Sequence, residues 1–394
     1  MSIDKLPTEI LDFIFDKLTE LNDIVNCFQV CERWSYIIGE RTHKVKYLIS
    51  NPRLFDDKVY SKDLVYNGRT EPLDGSVLLK VFPNLRIADI SLPYRIRKKY
   101  DISNLVLELL RNGKHIKGLI EVPLMKYVDI FKNRTALEML CISRLPDEIP
   151  ISDINESVKQ LYTCSHPVPM SDFSKLIHFL PSLERLQAKI RYDNQDAGYD
   201  GPKLMNLKIA ELDLRANSLP GLLQFGLELL DACPALVSAH VYAFTSAVIV
   251  EDTTKNENMR DLVLQFREAV AWHSQIDLLA KYPNLKHLAL RCNLTLRDDH
   301  IHDILSTLPK LVLLDVRGSP RLTRRSARFV EDYCERHGRS IYFYFKKEDR
   351  EQIEKDWPHL STRQEIISRG FDFMANCFLK DNDTLPYFLD PMDD

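Results

Sequence analysis

The feature that most restricts what this 394-residue chain can fold into is a repeated leucine spacing. The form x-Pro-x-Leu occurs as FPNL, LPSL, CPAL, YPNL and LPKL, with prolines at Pro83, Pro181, Pro234, Pro283 and Pro309. A triplet L-x-x-L-x-L recurs with it: Leu183, Leu186, Ala188; Ile209, Leu212, Leu214; Leu285, Leu288, Leu290; and Leu311, Leu314, Val316. Degenerate copies start near Leu85, Ile116, Leu137, Val158 and Leu236. The alternating L-x-L makes a short strand whose leucines face inward. The stretch between copies returns as a helix with its own apolar stripe, as over residues 103–110 and 172–180. One such unit leaves its apolar face wet; stacked neighbours bury it.

A spacing of roughly 20–29 residues with this triplet is a leucine-rich-repeat signature. Over residues 82–345 it predicts an α/β solenoid, curved, with parallel strands on the concave face and helices outside. Strand-like copies such as LVLLDVRG and AHVYAF speak against a purely helical array. Asn293 fits an asparagine-ladder position. The long interval between Leu236 and Leu285 holds one degenerate repeat or an insertion. Within it EDTTKNEN, residues 251–258, reads as an exposed loop, and DLVLQFREAVAWHSQIDLLAKY reads as one or two helices. Residues 46–81 read as a linker or an irregular first repeat. Residues 346–394 read as a charged C-terminal tail: KKEDREQIEKDW is helix-competent, and the acidic DNDTLPYFLDPMDD frays unless Tyr387 and Phe388 dock.

Residues 1–45 carry a different pattern. Pro7 suits the first helical position, and Glu9 favours the first turn. Ile10, Leu11, Ile14, Phe15 and Leu18 then recur at helical spacing. Asn22 or Asp23 can cap a second helix holding Ile24, Val25 and Phe28. Val30, Cys31, Trp34, Ile37 and Ile38 form a third stripe, with Gly39 as its stop. Three helices in so few residues cannot hide that much apolar surface. The surplus docks either on the rest of this chain or on a partner.

This N-terminal block resembles an F-box. The family's Leu-Pro-x-Glu opening appears as Leu6-Pro7-Thr8-Glu9, its Ile-Phe-x-x-Leu as Ile14-Phe15-Asp16-Lys17-Leu18, and its Val-Cys-x-x-Trp as Val30-Cys31-Glu32-Arg33-Trp34. Asp23-Ile24-Val25 matches the family's acidic-then-aliphatic helix start. An F-box followed by leucine-rich repeats is similar to the FBXL type of substrate receptor in SCF ubiquitin ligases. The resemblance implies a non-catalytic receptor without a cofactor. Its F-box would bind the Skp adaptor, and through it a cullin and a RING subunit, while the repeats hold a protein substrate for ubiquitin transfer. Carried over residue by residue, adaptor binding falls on Leu6, Pro7, Ile10, Leu11, Ile14, Phe15, Leu18, Ile24, Val25, Val30, Cys31 and Trp34. Trp34 and Pro7 are the expected hot spots. Ile14 and Phe15 have the alternative of serving as the block's own core, and Cys31 reads as a small packed hydrophobe.

On the inner strand surface, the position after the second strand leucine gives a column that includes Lys189, Arg215, Tyr242, Arg291 and Arg317. Such a column fits an acidic or phosphorylated substrate segment, although Asp213 beside Arg215 and Asp315 beside Arg317 can neutralise it. Other chemistries find little support. Lys+Arg 53 against Asp+Glu 57 leaves a net charge of −4, which speaks against a nucleic-acid partner. No run approaches the ~18 apolar residues of a membrane span, and the N-terminus lacks the basic region of a secretory signal. Eight cysteines without a C-x-x-C pair read as scattered thiols, which places the chain in cytoplasm or nucleus. His300-x-His302 lacks a third metal ligand, and no P-loop, GxGxxG, GxSxG or HExxH motif occurs. The competing reading is a leucine-rich-repeat binding scaffold with no ligase role.

Overall fold

The leucine spacing is realised as one parallel strand per repeat. The computed structural model describes residues 3–50, 61–68, 74–91, 103–123, 137–144, 156–192, 198–216, 224–245, 247–250 and 254–392, in two units, Met1–Val158 and Lys159–Asp394.

The first unit opens with α1 (Thr8–Phe15), α2 (Leu21–Phe28) and α3 (Glu32–Thr42), with α1 and α2 both packed on α3. Then follow β1 (Tyr47–Ile49), β2 (Leu64–Tyr66), α4 (Gly75–Val81), β3 (Ile87–Asp89), α5 (Ser103–Asn112), β4 (Gly118–Pro123) and β5 (Met139–Arg144). The strands pair in parallel in the order β2-β1-β3-β4-β5. The helical block is stitched to this sheet: Tyr66 N donates to Thr19 O at 2.7 Å, and Lys62 pairs with Asp16. Three local expectations are corrected here. Pro7 is the cap residue, one place before the helix. The second helix starts at Leu21 with no side-chain cap from Asn22 or Asp23. The third runs through Gly39 to Thr42, because buried Arg41 donates to the carbonyls of Lys62 and Leu64 and holds the last turn against β2.

The second unit contains β6 (Gln160–Pro169), α6 (Met170–Ile177), β7 (Arg185–Tyr192), β8 (Ile209–Ala216), β9 (Gln224–Gly226), α7 (Glu228–Asp231), β10 (Ser238–Ala243), β11 (Ala247–Ile249), β12 (Asp261–Phe266), α8 (Trp272–Ala280), β13 (His287–Leu290), α9 (His300–Thr307), β14 (Leu313–Asp315), α10 (Arg324–His337) and β15 (Tyr342–Tyr344). Its sheet is parallel in the order β6-β7-β8-β10-β12-β13-β14-β15. Register sets the repeat phase. Leu186 pairs with Ala210, Ala210 with Ala239, Ala239 with Leu262, Leu262 with Leu288, and Leu288 with Leu314. The matching first positions are Leu183, Leu207, Leu236, Met259, Leu285 and Leu311, all buried.

Two expectations change as a result. The copy at Ile209-Leu212-Leu214 is two residues out of phase; the triplet is Leu207, Ala210, Leu212, and Ile209 points to the opposite face of the sheet. The small Ala210 in a leucine position hid the true start. The interval after Leu236 holds one repeat, Met259-Leu262-Leu264. Its DLVLQF is strand β12 and only Trp272–Ala280 is helical, because Leu262 and Leu264 alternate into the core between β10 and β13. Asn293 is a buried loop anchor. It accepts from Thr295 N and Leu296 N, both at 3.0 Å, and donates to Gln275 Oε1 at 2.6 Å.

The C-terminal stretch does not fray. It forms α11 (Arg350–Asp356), β16 (Ile367–Arg369), α12 (Phe373–Asn376) and β17 (Phe388–Asp390), with β16 and β17 paired in parallel. Ile353, Leu360, Phe373, Cys377, Phe378, Leu379, Leu385 and Leu389 pack on the strand residues Ile209, Val263, Ala289, Leu313 and Tyr344. Phe388 is buried, and the Tyr387 ring lies 4.6 Å from that of Tyr162, so the docking condition is met.

Candidate functional site

Helix α1 is apolar on two sides. One side, Leu11 and Phe15, is buried, and the Phe15 ring meets Trp34 edge-on at 5.1 Å and 60°. The other side carries Ile10, Phe13 and Ile14 at i, i+3, i+4 spacing, exposed by 47%, 64% and 36%. Arg33, at the start of α3, donates to Leu6 O at 2.7 Å and to Thr8 Oγ1 at 3.4 Å. That bond draws the α2–α3 junction alongside the start of α1. Pro7, Val30 and Cys31 are exposed as well. Tyr36, one turn after Arg33, is 73% exposed. Lys17 Nζ sits 5.3 Å from the centre of the Phe13 ring and leaves most of it open.

The residues expected to bind the adaptor separate into two groups. Pro7, Ile10, Ile14, Val30 and Cys31 are exposed, with Leu6 and Leu18 half-buried. Leu11, Phe15, Ile24, Val25 and Trp34 are the block's own interior. A block this small must fill its centre with its largest ring; Trp34, expected as a contact hot spot, is that ring. Cys31, expected to be packed, is exposed. Phe13 and Tyr36 were not anticipated. The signal for Phe13 was present: with Ile10 and Ile14 it forms a second apolar stripe opposite Leu11 and Phe15, more than a helix needs for one core contact.

The strand face of the second unit is occupied by the chain's own C-terminal segment. Gln160 and Leu389 exchange two hydrogen bonds: Gln160 Nε2 donates to Leu389 O at 2.6 Å, and Leu389 N donates to Gln160 Oε1 at 3.0 Å. Buried Arg185 donates to Tyr387 O at 2.8 Å and Pro386 O at 2.7 Å, and pairs with buried Glu211 at 2.5 Å. Arg291, 5% exposed, pairs with Asp315 at 2.6 Å and donates to Lys380 O at 3.1 Å and to Phe378 O. Burial and the nearby Arg291 charge pull the His240 imidazole down to about 3, against the effect of its hydrogen bond to Lys380 O. Burial lifts the Cys377 thiol well above its ordinary value, and neighbouring Glu211 adds to this. Asp315 stays below the usual carboxylate range: burial opposes it, but Arg291 and Arg317 prevail.

The expected basic column is corrected on two counts. By register Lys189 stands beside Asp213, Asp213 beside Tyr242, and Tyr242 beside Gln265; Arg215 lies two residues farther along, beside Arg191. The out-of-phase start at Ile209 produced that misplacement. Arg291 binds the C-terminal segment and is closed to a substrate in this structure. Arg215 forks onto Asp213 and Arg317 onto Asp315, so the neutralising alternative holds for both. Among the described residues, no group of three or more His, Cys, Asp or Glu side chains is placed to hold a metal ion.

Comparison with known families matches residues 3–43 to the F-box-like family. No curated protein matches the chain.

Proposed function

We propose that this chain is the substrate-recognition subunit of an SCF-type ubiquitin ligase, with residues 3–43 docking on a Skp adaptor. Its second unit, read as leucine-rich repeats of the FBXL type, recruits the protein to be modified. The observation that carries the reading is the second apolar face of α1. Ile10, Phe13 and Ile14 stand in solvent, as do Pro7 and Val30, on a block whose own core is already filled. Burying each such side chain is worth about 1.5–3 kcal/mol, of which association costs remove part. The F-box-like match over the same residues supports this use of the face. In this reading the chain does no bond chemistry. The adaptor links it to a cullin and RING subunit, and it acts by holding substrate near an E2 enzyme, in cytoplasm or nucleus. Co-elution of the full chain with a purified Skp adaptor on size exclusion tests the proposal. A stable one-to-one peak is expected; separate elution at micromolar concentrations argues for a binding scaffold without a ligase role.

A further inference from the structure

Helix α1 has to keep a fixed rotation about its own axis if Ile10, Phe13 and Ile14 are to face one partner together. Its eight residues cannot secure this alone, because an isolated helix of that length is marginal in water. The far end is fastened twice. The Phe15 ring meets Trp34 edge-on, and Asp16, just past the helix, pairs with Lys62. The first turn lacks such packing. Pro7 gives no side-chain cap, Thr8, Glu9 and Ile10 are exposed, and Leu11 is the first buried residue of the helix. Among the described residues, Arg33 is what ties this end to α3. Its Nη2 donates to Leu6 O at 2.7 Å and to Thr8 Oγ1 at 3.4 Å, one acceptor on either side of Pro7.

Arg33 and Trp34 are neighbours in the first turn of α3, and successive side chains on a helix leave it about 100° apart. Trp34 is buried, so its packing fixes the turn that carries Arg33. The two side chains thus hold α1 near its two ends, one through the core and one through the surface. Arg33 is exposed, and its loss leaves no cavity in the block. Leu11, Phe15 and Trp34 stay packed without it. What loosens is the first turn, where the Ile10 and Leu11 amides donate to Pro7 O, both at 3.1 Å. While that turn is frayed, Ile10 stands out of line with Phe13 and Ile14. A partner that reads all three associates only with the ordered fraction. That lowers the rate of association and leaves the formed complex to dissociate as before.

We propose that Arg33 is a positioning residue for adaptor docking, which pre-orders the start of α1 so that Ile10, Phe13 and Ile14 are presented as one surface. The proposal rests on the receptor reading and adds the residue that presents its contact face. The test follows association and dissociation of purified Skp adaptor on the immobilised full chain by biolayer interferometry. Amide hydrogen exchange over residues 6–15 is measured on the free chain in parallel. For Arg33→Gln, association about fivefold to tenfold slower is expected, with dissociation within about twofold of the wild type. Exchange of the Ile10 amide should be faster by about fivefold or more, with helicity unchanged and Tm within about 2 °C. Arg33→Lys, which keeps a charged donor, should recover part of the association rate. Phe13→Ala, which removes a contact rather than its placement, should speed dissociation instead. Unchanged association or unchanged exchange in Arg33→Gln overturns the proposal. So does a loss confined to dissociation, which marks direct contact with the adaptor, or a fall in Tm beyond about 5 °C, which marks a role in the core. No association by the wild type overturns the receptor reading and this proposal with it, whereas normal wild-type association with an unaffected variant overturns this proposal alone.

Discussion

Phe378→Ala is the sharpest probe of the covered strand face. The Phe378 side chain is fully buried among strand residues and the C-terminal segment, and the Arg291 guanidinium lies 5.8 Å from its ring centre. Truncating a buried phenylalanine costs about 3–5 kcal/mol through lost transfer energy and the cavity left behind. Loss of the ring under Arg291 adds about 0.5–1 kcal/mol. For a unit of this size each kcal/mol moves Tm by roughly 2–4 °C, so a fall of about 10 °C or more is expected. Thermal unfolding followed by circular dichroism measures it, with limited proteolysis reporting early release of the C-terminal segment. Phe13→Ala, the same chemical change at an exposed ring, should stay within about 0.5 kcal/mol of the wild type. If Phe378→Ala unfolds within 2 °C of the wild type and keeps its protease resistance, the C-terminal segment is not packed on the strands and the argument fails.

Trp34→Ala should melt the helical block itself, at a cost of about 3–5 kcal/mol, whereas Trp34→Phe should keep it folded; helicity and proteolysis of residues 3–43 distinguish them. Arg185→Met strands Glu211 in the interior and should cost about 3–5 kcal/mol in urea unfolding, while Arg215→Gln, at a half-exposed pair, should cost under about 1 kcal/mol. His240 is neutral in the folded state down to about pH 3 but takes a proton near pH 6.5 when unfolded. Its contribution is therefore complete above about pH 6.5 and declines as pH falls, with a slope approaching ~1.4 kcal/mol per pH unit. Urea titrations between about pH 6 and 4.5 should give a shallower slope for His240→Gln than for the wild type; identical slopes contradict the buried neutral imidazole.

Periodicity carried much of the strand pattern, because a leucine repeat speaks both for the strand and for its neighbour's need to cover it. It slipped where an alanine stood in a leucine position, at Ala210, and where a strand such as DLVLQF ran toward a helical segment with no turn residue to mark the change. Long-range closure was the harder part. Nothing local in DNDTLPYFLDPMDD states that Leu389 meets Gln160, 229 residues earlier in the chain. In the helical block the motif identified the right segment but could not say which face of each helix is free. Leu11 and Ile10 look alike in sequence, yet Leu11 turns inward with Phe15, whose ring meets Trp34 of α3, and Ile10 outward.

The account stands on the outer face of α1 as a partner surface. Isothermal titration of purified Skp adaptor into the full chain, wild type against Phe13→Asp, tests it most directly. The expected result is a one-to-one saturable heat for the wild type and none for Phe13→Asp, with the two chains equally helical. Equal binding by both, or no heat from either, contradicts it.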